Sequence, residues 1–437
     1  TMASPPHPDP PAIPSDDPWD DPLPVQPAWE GAEGQQAWGG EEATEEEEEE
    51  MTGVNPPAMA SSLAAFFTSL LTCLVAGGVP DLELASLRTG NTAAGGADGA
   101  PTRLGRATTT LSLTGRGARG AGRYARLLMA GAAAHEALST GRCLTQRDLY
   151  YSFKCVGVGG VTPASAATAV TDLQAYFRAP RAAFGVVAAA RGSVGGQVWL
   201  GMAGAEEGDP AWADASAEPA GRPLPGDPAA LARLATRTDA AFLLIIEKDA
   251  VFRRLCEDRV WEGLPGGAVL VTSNGWPAAG VRNFITRLRA ANPAALDTVL
   301  GVCDWNPAGV GILCAYKYGT RRAALGCGAE GDEEGGGAEG AGVDAHALPS
   351  LGWVGLRSLR LAAAPPEASQ ALTPRDRAMA ASLGGRALAG HPAWTAELEV
   401  MTGSGLKAEL EAVDAVGGLG SLTAALVEDA VAGAWAA

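Results

Sequence analysis

At 437 residues, with 58 Gly and 30 Pro, 47% hydrophobic and 6% aromatic, the chain is long enough for two or three domains. Its apolar share is mostly Ala, Val and Leu, which allows a buried core and excludes a coiled coil, a collagen and a multi-span membrane protein. The net charge of −18 argues at first against a nucleic-acid partner, but it is unevenly spread. Residues 1–60 hold 15 acids and no Lys or Arg, leaving 35 acids against 32 bases. Setting aside the Gly/Glu-rich stretch 328–346 leaves 29 against 32, so the remainder is near neutral and its acid sits in two solvated runs.

Residues 1–57 are Pro-rich and then acidic, ending in the run Glu45–Glu50. Such a segment buries too little apolar surface to offset its ordering entropy, which predicts a disordered tail. The chain opens Pro/Asp-rich rather than basic and then apolar, so no secretory signal is expected. Residues 58–84 carry the uncharged stretch Ala58–Val79, long enough to raise a membrane span. Its Leu63, Phe66, Phe67, Leu70 and Leu74 fall at amphipathic helical spacing, which favours docking on the chain's own fold or on a partner over a membrane.

Residues 85–118 read as loop. Within and after them Arg103, Arg106, Arg116, Arg119, Arg123 and Arg126 follow without an intervening acid, either an exposed helix face or a phosphate-neutralising strip. Helices are predicted over Arg119–Leu138, from a cap at Thr145, and over Ala164–Arg178. Phe184–Ala190 and Gln197–Leu200 predict a hairpin about Arg191-Gly192-Ser193. Three helices and a hairpin are the order of a winged helix-turn-helix, assigned to 100–202.

A linker over 203–238 leads into strands and helices in alternation: Phe242–Ile246, Ala250–Glu257, Ala268–Val271, Val281–Ala290, Thr298–Cys303 and Val310–Tyr318. That alternation predicts a parallel sheet for 239–437, with 328–346 as an insertion. The fold class is thus α/β and multi-domain. Seven scattered cysteines without a C-x-x-C pair read as reduced thiols of an intracellular protein. The four histidines form no zinc pattern.

Ligands of an open parallel sheet gather at the carboxyl ends of its strands. Glu247 follows the first strand and Asp304 the third, with Asn306 two residues on. This oxygen-rich edge suits Mg²⁺, although strand-end acids also serve as helix caps. Tyr150 and Tyr151 are adjacent, and Arg147 lies on the face of Tyr151. Tyrosine pairs usually serve packing; beside a cation, a phenol of pKa about 10 can also act as a nucleophile on phosphate. No G-x-G-x-x-G and no G-K-[ST] loop is present, so nucleotide binding is unsupported.

In order, Thr145-Gln-Arg-Asp-Leu-Tyr-Tyr151, Phe184-Gly-Val-Val-Ala-Ala-Ala-Arg-Gly192, Ile245-Ile-Glu-Lys-Asp-Ala-Val-Phe252, Cys303-Asp-Trp-Asn-Pro-Ala-Gly309, Ala315-Tyr-Lys-Tyr-Gly-Thr320 and Lys407-Ala-Glu-Leu410 resemble one family. It is that of the topoisomerase VI A proteins and their relatives, the meiotic double-strand-break transesterases, over roughly residues 60–413. The resemblance implies a winged-helix (CAP-like) domain followed by a Toprim domain. It implies Tyr151 as the nucleophile forming a 5′-phosphotyrosyl link, Arg147 beside it, and Mg²⁺ at Glu247, Asp304 and Asn306. It further implies double-stranded DNA as substrate, a homodimer or a heterodimer with a paralogue, a topoisomerase VI B-like partner and a nuclear site of action. The alternatives are a non-cleaving DNA-binding paralogue and a vegetative topoisomerase VI A protein. Asp304-Trp305-Asn306 departs from the family's D-x-D, and Thr272-Ser-Asn-Gly-Trp-Pro-Ala278 departs from T-x-K-G-x-P-D.

Overall fold

The computed structural model describes residues 56–88, 91–93, 103–114, 117–157, 161–187, 190–204, 212–321, 344–384, 388, 391–418 and 420–435. The tail expected over 1–57 lies almost wholly outside them, as does most of the insertion 328–346.

Two hydrophobic cores follow one another along the chain, the first drawn from Leu63 to Val186 and the second from Val194 to Ala430. The first begins with helix α1 (Pro56–Val75). α1 is long and apolar enough to cross a membrane, and in the fold it buries Leu63, Phe66 and Leu70. The Phe66 ring meets Tyr176 and Phe177 edge-on at 5.0 and 5.8 Å. Leu74 of the predicted stripe is 45% exposed instead, beside Leu71 and Val75.

Strand β1 (Leu82–Ala85) closes the segment 58–84, and β2 (Thr92–Ala93), β3 (Arg103–Leu104) and β4 (Thr108–Leu111) occupy what the sequence predicts as loop. β1 and β4 pair antiparallel, with Leu82 opposite Leu111. Leu82, Leu84, Leu104 and Leu111 are buried, and Thr108-Thr109-Thr110 suits a pleated edge. Gly and Arg in the same stretch disguise that pattern.

Three helices complete this core: α2 (Gly117–Ser139), α3 (Gln146–Cys155) and α4 (Pro163–Phe177). Thr145 caps α3 as expected. Its hydroxyl accepts from the Asp148 N–H at 3.2 Å, and Asp148 accepts from the Thr145 N–H at 2.8 Å. Thr162 and Ser165 cap α4 in the same reciprocal way.

Among the described residues the hairpin expected next is not present. Arg181–Phe184 is a turn of 3₁₀ helix, and Val186 bridges in parallel to Leu144 just before α3. β5 (Ser193–Gly196) leaves to pair with the second core's sheet, and β6 (Trp199–Met202) joins β7 (Ala213–Asp214) and β9 (Leu234–Arg237). Gly196 explains the switch: at φ +80° a Cβ would stand 2.4 Å from the Ala268 carbonyl oxygen, so only glycine lets the strand come this close. The helix order of a winged helix is therefore present among the described residues, and the wing expected after it is not.

Between β7 and β9 lie β8 (Arg222–Pro223) and the short α5 (Pro228–Ala232). Then come β10 (Phe242–Ile246), α6 (Asp249–Glu257), β11 (Ala268–Thr272), α7 (Ala279–Ala291), β12 (Thr298–Val302) and α8 (Pro307–Lys317). β10, β11 and β12 run parallel, and every residue of β10 and β11 is buried, as continuous apolar runs require. The remaining elements are β13 (Gly352–Val354), α9 (Ser358–Leu361), β14 (Ser369–Ala371), α10 (Pro374–Gly384), α11 (Pro392–Ser404), β15 (Leu406–Ala408), α12 (Asp414–Gly417) and α13 (Ser421–Val431). The sheet order is β13-β12-β10-β11-β5-β8. From β10 the chain goes first to β11 on one side and then to β12 on the other. The order therefore reverses at β10 and β12, and that is where such sheets open a crevice.

Candidate metal centre and tyrosine helix

Ile246 is paired with Val302, so the residues that follow β10 and β12 leave the sheet side by side. Glu247 is anchored there by its own N–H to the Val302 carbonyl at 3.0 Å. Its Oε2 accepts from the Asp304 N–H at 3.0 Å. Across 57 positions the fold thus sets the Glu247 carboxylate on the backbone of Asp304. Asp304 is 4% exposed, and its Oδ1 accepts from the Leu410 N–H at 2.9 Å.

Burial raises the Glu247 carboxyl, partly offset by the Asp304 N–H and by Lys248. Asp304 is pushed up to about 7, by burial first and then by the charge of Glu247. Two half-dehydrated acids this close favour a cation.

Part of that demand is met by Lys248, which the sequence does not single out. Its Nζ lies 3.0 Å from Asp304 Oδ1 and 2.9 Å from Glu411 Oε2, and it also pairs with Glu409. Burial opposes the ammonium, but the Glu409 and Glu411 carboxylates outweigh it and hold Lys248 above the ordinary lysine range. The carboxylate oxygens of Asp304, Glu409 and Glu411 lie within 4.8 Å of one another, a hard oxygen set that could hold a metal ion. Glu409 and Glu411 come from the segment after β15, tied down where the Ala408 N–H donates to the Trp305 carbonyl at 3.0 Å. Only the fold brings them here, because they stand more than 160 positions from Lys248.

Asn306 does something else. Its Oδ1 accepts from the Gly309 N–H at 2.8 Å and so caps α8. Gly309 is obligatory at that turn, since a Cβ would meet the Asp304 carbonyl oxygen at 2.5 Å. Trp305 points the other way, donating its Nε1–H to Glu397 at 2.7 Å.

Tyr151 belongs to the first core's α3. Leu149 and Phe153 on either side of it are fully buried, which turns Tyr151 outward to 58% exposure. Arg147, one turn earlier, is exposed as well. The Tyr150 and Tyr151 rings lie 5.1 Å apart, and Lys154 stands 5.9 Å over the Tyr150 ring. The structure thus gathers Glu247 and Asp304 at one edge and sets Tyr151 with Arg147 on a helix of the other core. Of the arginine strip, Arg123 is committed inward to Asp172 at 2.7 Å, while Arg106 is exposed.

A sheet whose central strands β10, β11 and β12 run parallel, with Glu247 and Asp304 at its switch point, places this part of the chain among the open-sheet α/β domains. Residues 242–327 match the family of the Toprim domain shared by Spo11 and the A chain of topoisomerase 6. The chain is 32% identical to "Meiotic recombination protein SPO11-2" of Arabidopsis thaliana over 272 residues, 62% of this chain and 64% of that one. It is 26% identical to "Meiotic recombination protein SPO11" of Mus musculus over 62% of this chain and 61% of the relative. With the A3 protein of DNA topoisomerase 6 from Oryza sativa subsp. indica the identity is 27% over 65% of this chain and 58% of the relative. Residues 242–327 therefore match that Toprim family, and the chain is similar to SPO11 and topoisomerase 6 A proteins over less than two thirds of the length of each of these three.

Proposed function

We propose that the chain is a topoisomerase-like DNA transesterase that makes meiotic double-strand breaks. The observation that carries this reading is the Glu247–Asp304 pair at the sheet's switch point in a chain that also presents an outward-facing Tyr151 beside Arg147. The match to the SPO11 proteins supports the meiotic role and, with it, a nuclear site of action.

The reaction exchanges one phosphodiester bond for another. The Tyr151 phenol oxygen forms a bond to a backbone phosphorus, the bond from that phosphorus to the 3′-oxygen breaks, and the phenolic proton is made up on the leaving 3′-hydroxyl. Chain scission is thereby stored as a 5′-phosphotyrosyl link. Arg147, on the face of Tyr151, holds the phosphate and offsets its charge as the anionic oxygens crowd. Glu247 and Asp304 would hold Mg²⁺, which supplies charge neutralisation at phosphate when bound. Asn306 serves that edge indirectly by fixing the turn that carries Asp304.

Residues 100–202 would dock double-stranded DNA through α2–α4 rather than through a wing, and 239–437 would supply the Toprim domain. Two copies, or this chain and a paralogue, are needed for two staggered cuts. The exposed end of α1 within 58–84 is the proposed docking element for a topoisomerase VI B-like partner. The test is to trap covalent protein–DNA complexes in meiotic cells. Wild type is expected to give them and Tyr151→Phe to give none; adducts that persist in Tyr151→Phe would overturn the reading. Complexes absent from both, with DNA binding intact, would favour a non-cleaving paralogue, the reading that the diversion of Asn306 to helix capping supports.

A further inference from the structure

The acids at the sheet edge face a cation that the chain itself supplies. Lys248 is the residue immediately after Glu247, yet its ammonium reaches back to Asp304 Oδ1 at 3.0 Å. The same nitrogen donates to Glu411 at 2.9 Å and to Glu409. The Lys248 side chain is 24% exposed while that of Asp304 is 6% exposed, so a partly exposed ammonium is paired with a buried carboxylate. Leu410 N–H fills another direction at the same Oδ1, from the segment that carries both glutamates.

This arrangement sets up a competition. A metal ion at Asp304 and the ammonium draw on the same carboxylate, and two positive charges at that spacing repel. Lys248 is a single charge on a flexible four-carbon stem, so it can withdraw without moving β10. Glu409 and Glu411 remain to receive it, being 44% and 43% exposed and already paired with it.

We propose that Lys248 is an internal counter-cation that competes with a divalent ion for Asp304, and that Glu409 and Glu411 retain the ammonium when the ion takes its place. Lys248 is thus a positioning residue, acting on the centre through Asp304. The inference rests on the reading of Glu247 and Asp304 as metal ligands, and it assigns the C-terminal segment 409–411 a part in setting that centre's affinity.

The test uses the whole chain without DNA and Mn²⁺ as the probe, its binding followed by electron paramagnetic resonance and by calorimetry. Lys248→Met and Lys248→Gln are expected to bind Mn²⁺ about tenfold more tightly than wild type, because a competing charge has gone. Lys248→Arg keeps the charge and is expected to stay within about threefold of wild type. Unchanged or weaker Mn²⁺ binding in both neutral variants would overturn the inference. Loss of the fold in both would make Lys248 a structural clamp and overturn it too. Asp304→Asn and Glu247→Gln separate the two readings. If they weaken Mn²⁺ binding while the neutral lysine variants fail to tighten it, the metal centre stands and the role of Lys248 falls. If they leave it unchanged, the metal-centre reading falls first.

Discussion

Arg282 and Asp344 form an ion pair 2.7 Å long in which neither side chain is more than 3% exposed. Asp344 also accepts from the Thr320 N–H at 2.7 Å and from the His346 N–H at 3.0 Å. One carboxylate therefore joins the end of α8 to the chain's return after the insertion, and pins both to α7. By composition its charge belongs with the solvated acids of 328–346, but it lies in the interior because Arg282 meets it there.

Removing either partner leaves the other buried and uncompensated. Arg282→Met is expected to destabilise the fold by about 3–5 kcal/mol in denaturant unfolding, and Asp344→Leu by a similar amount. The double variant should lose less than the two single losses combined, since neither charge is then orphaned. Additive losses would mean that the pair contributes nothing as a pair.

The turn after β12 gives a second test. Because Asn306 caps α8, Asn306→Ala is expected to cost about 1 kcal/mol, whereas Asn306→Asp should hold stability within about half of that. An acid also suits the positive end of a helix. Thermal melts of the three chains check this order. An Asn306→Ala chain as stable as wild type would show that the cap is idle, and would return Asn306 to the free oxygen ligands of the sheet edge.

What can be read from the sequence follows from range and burial. β10, β11 and β12 are legible because each is a continuous apolar run ended by a polar residue, and their parallel order alone brings Glu247 to Asp304. Thr145 is legible because a cap acts within three residues. The partners of Lys248 are not, because Glu409 and Glu411 lie over 160 positions away on a segment with no periodic signal. β5 reads as part of a local hairpin for a related reason: its four residues Ser193–Gly196 find a better apolar edge in β11, a choice that only the assembled sheet presents. Strands as short as β13, three residues long, carry too little pattern to be noticed.

The tyrosine helix separates stability from chemistry. Leu149 is fully buried between α3 and its neighbours, while Tyr151 is turned outward. Leu149→Ala should therefore lose about 2–5 kcal/mol of folding stability. Tyr151→Phe should stay within about 0.5 kcal/mol of wild type in the same unfolding experiment. A large stability loss in Tyr151→Phe would make its hydroxyl a structural group, and missing adducts could then no longer be credited to a missing nucleophile.

His346 gives the fold a pH dependence away from the acidic edge. Its Nδ1 lies 2.9 Å from the Thr286 hydroxyl. Burial, together with the nearby Arg282 guanidinium, lowers its pKa below the ordinary histidine value, against the opposing pull of Asp344. The folded chain therefore holds this imidazole neutral where the unfolded chain has begun to protonate it. The resulting stability is complete above the unfolded value of about 6.5 and is lost as pH falls through the lower folded value. Denaturant unfolding between about pH 7.5 and pH 5 should show wild type losing ground to His346→Gln as the solution is acidified. A gap that stays constant, or widens in favour of wild type, would mean that protonated His346 is accommodated in the fold, with Asp344 rather than Arg282 dominating its surroundings.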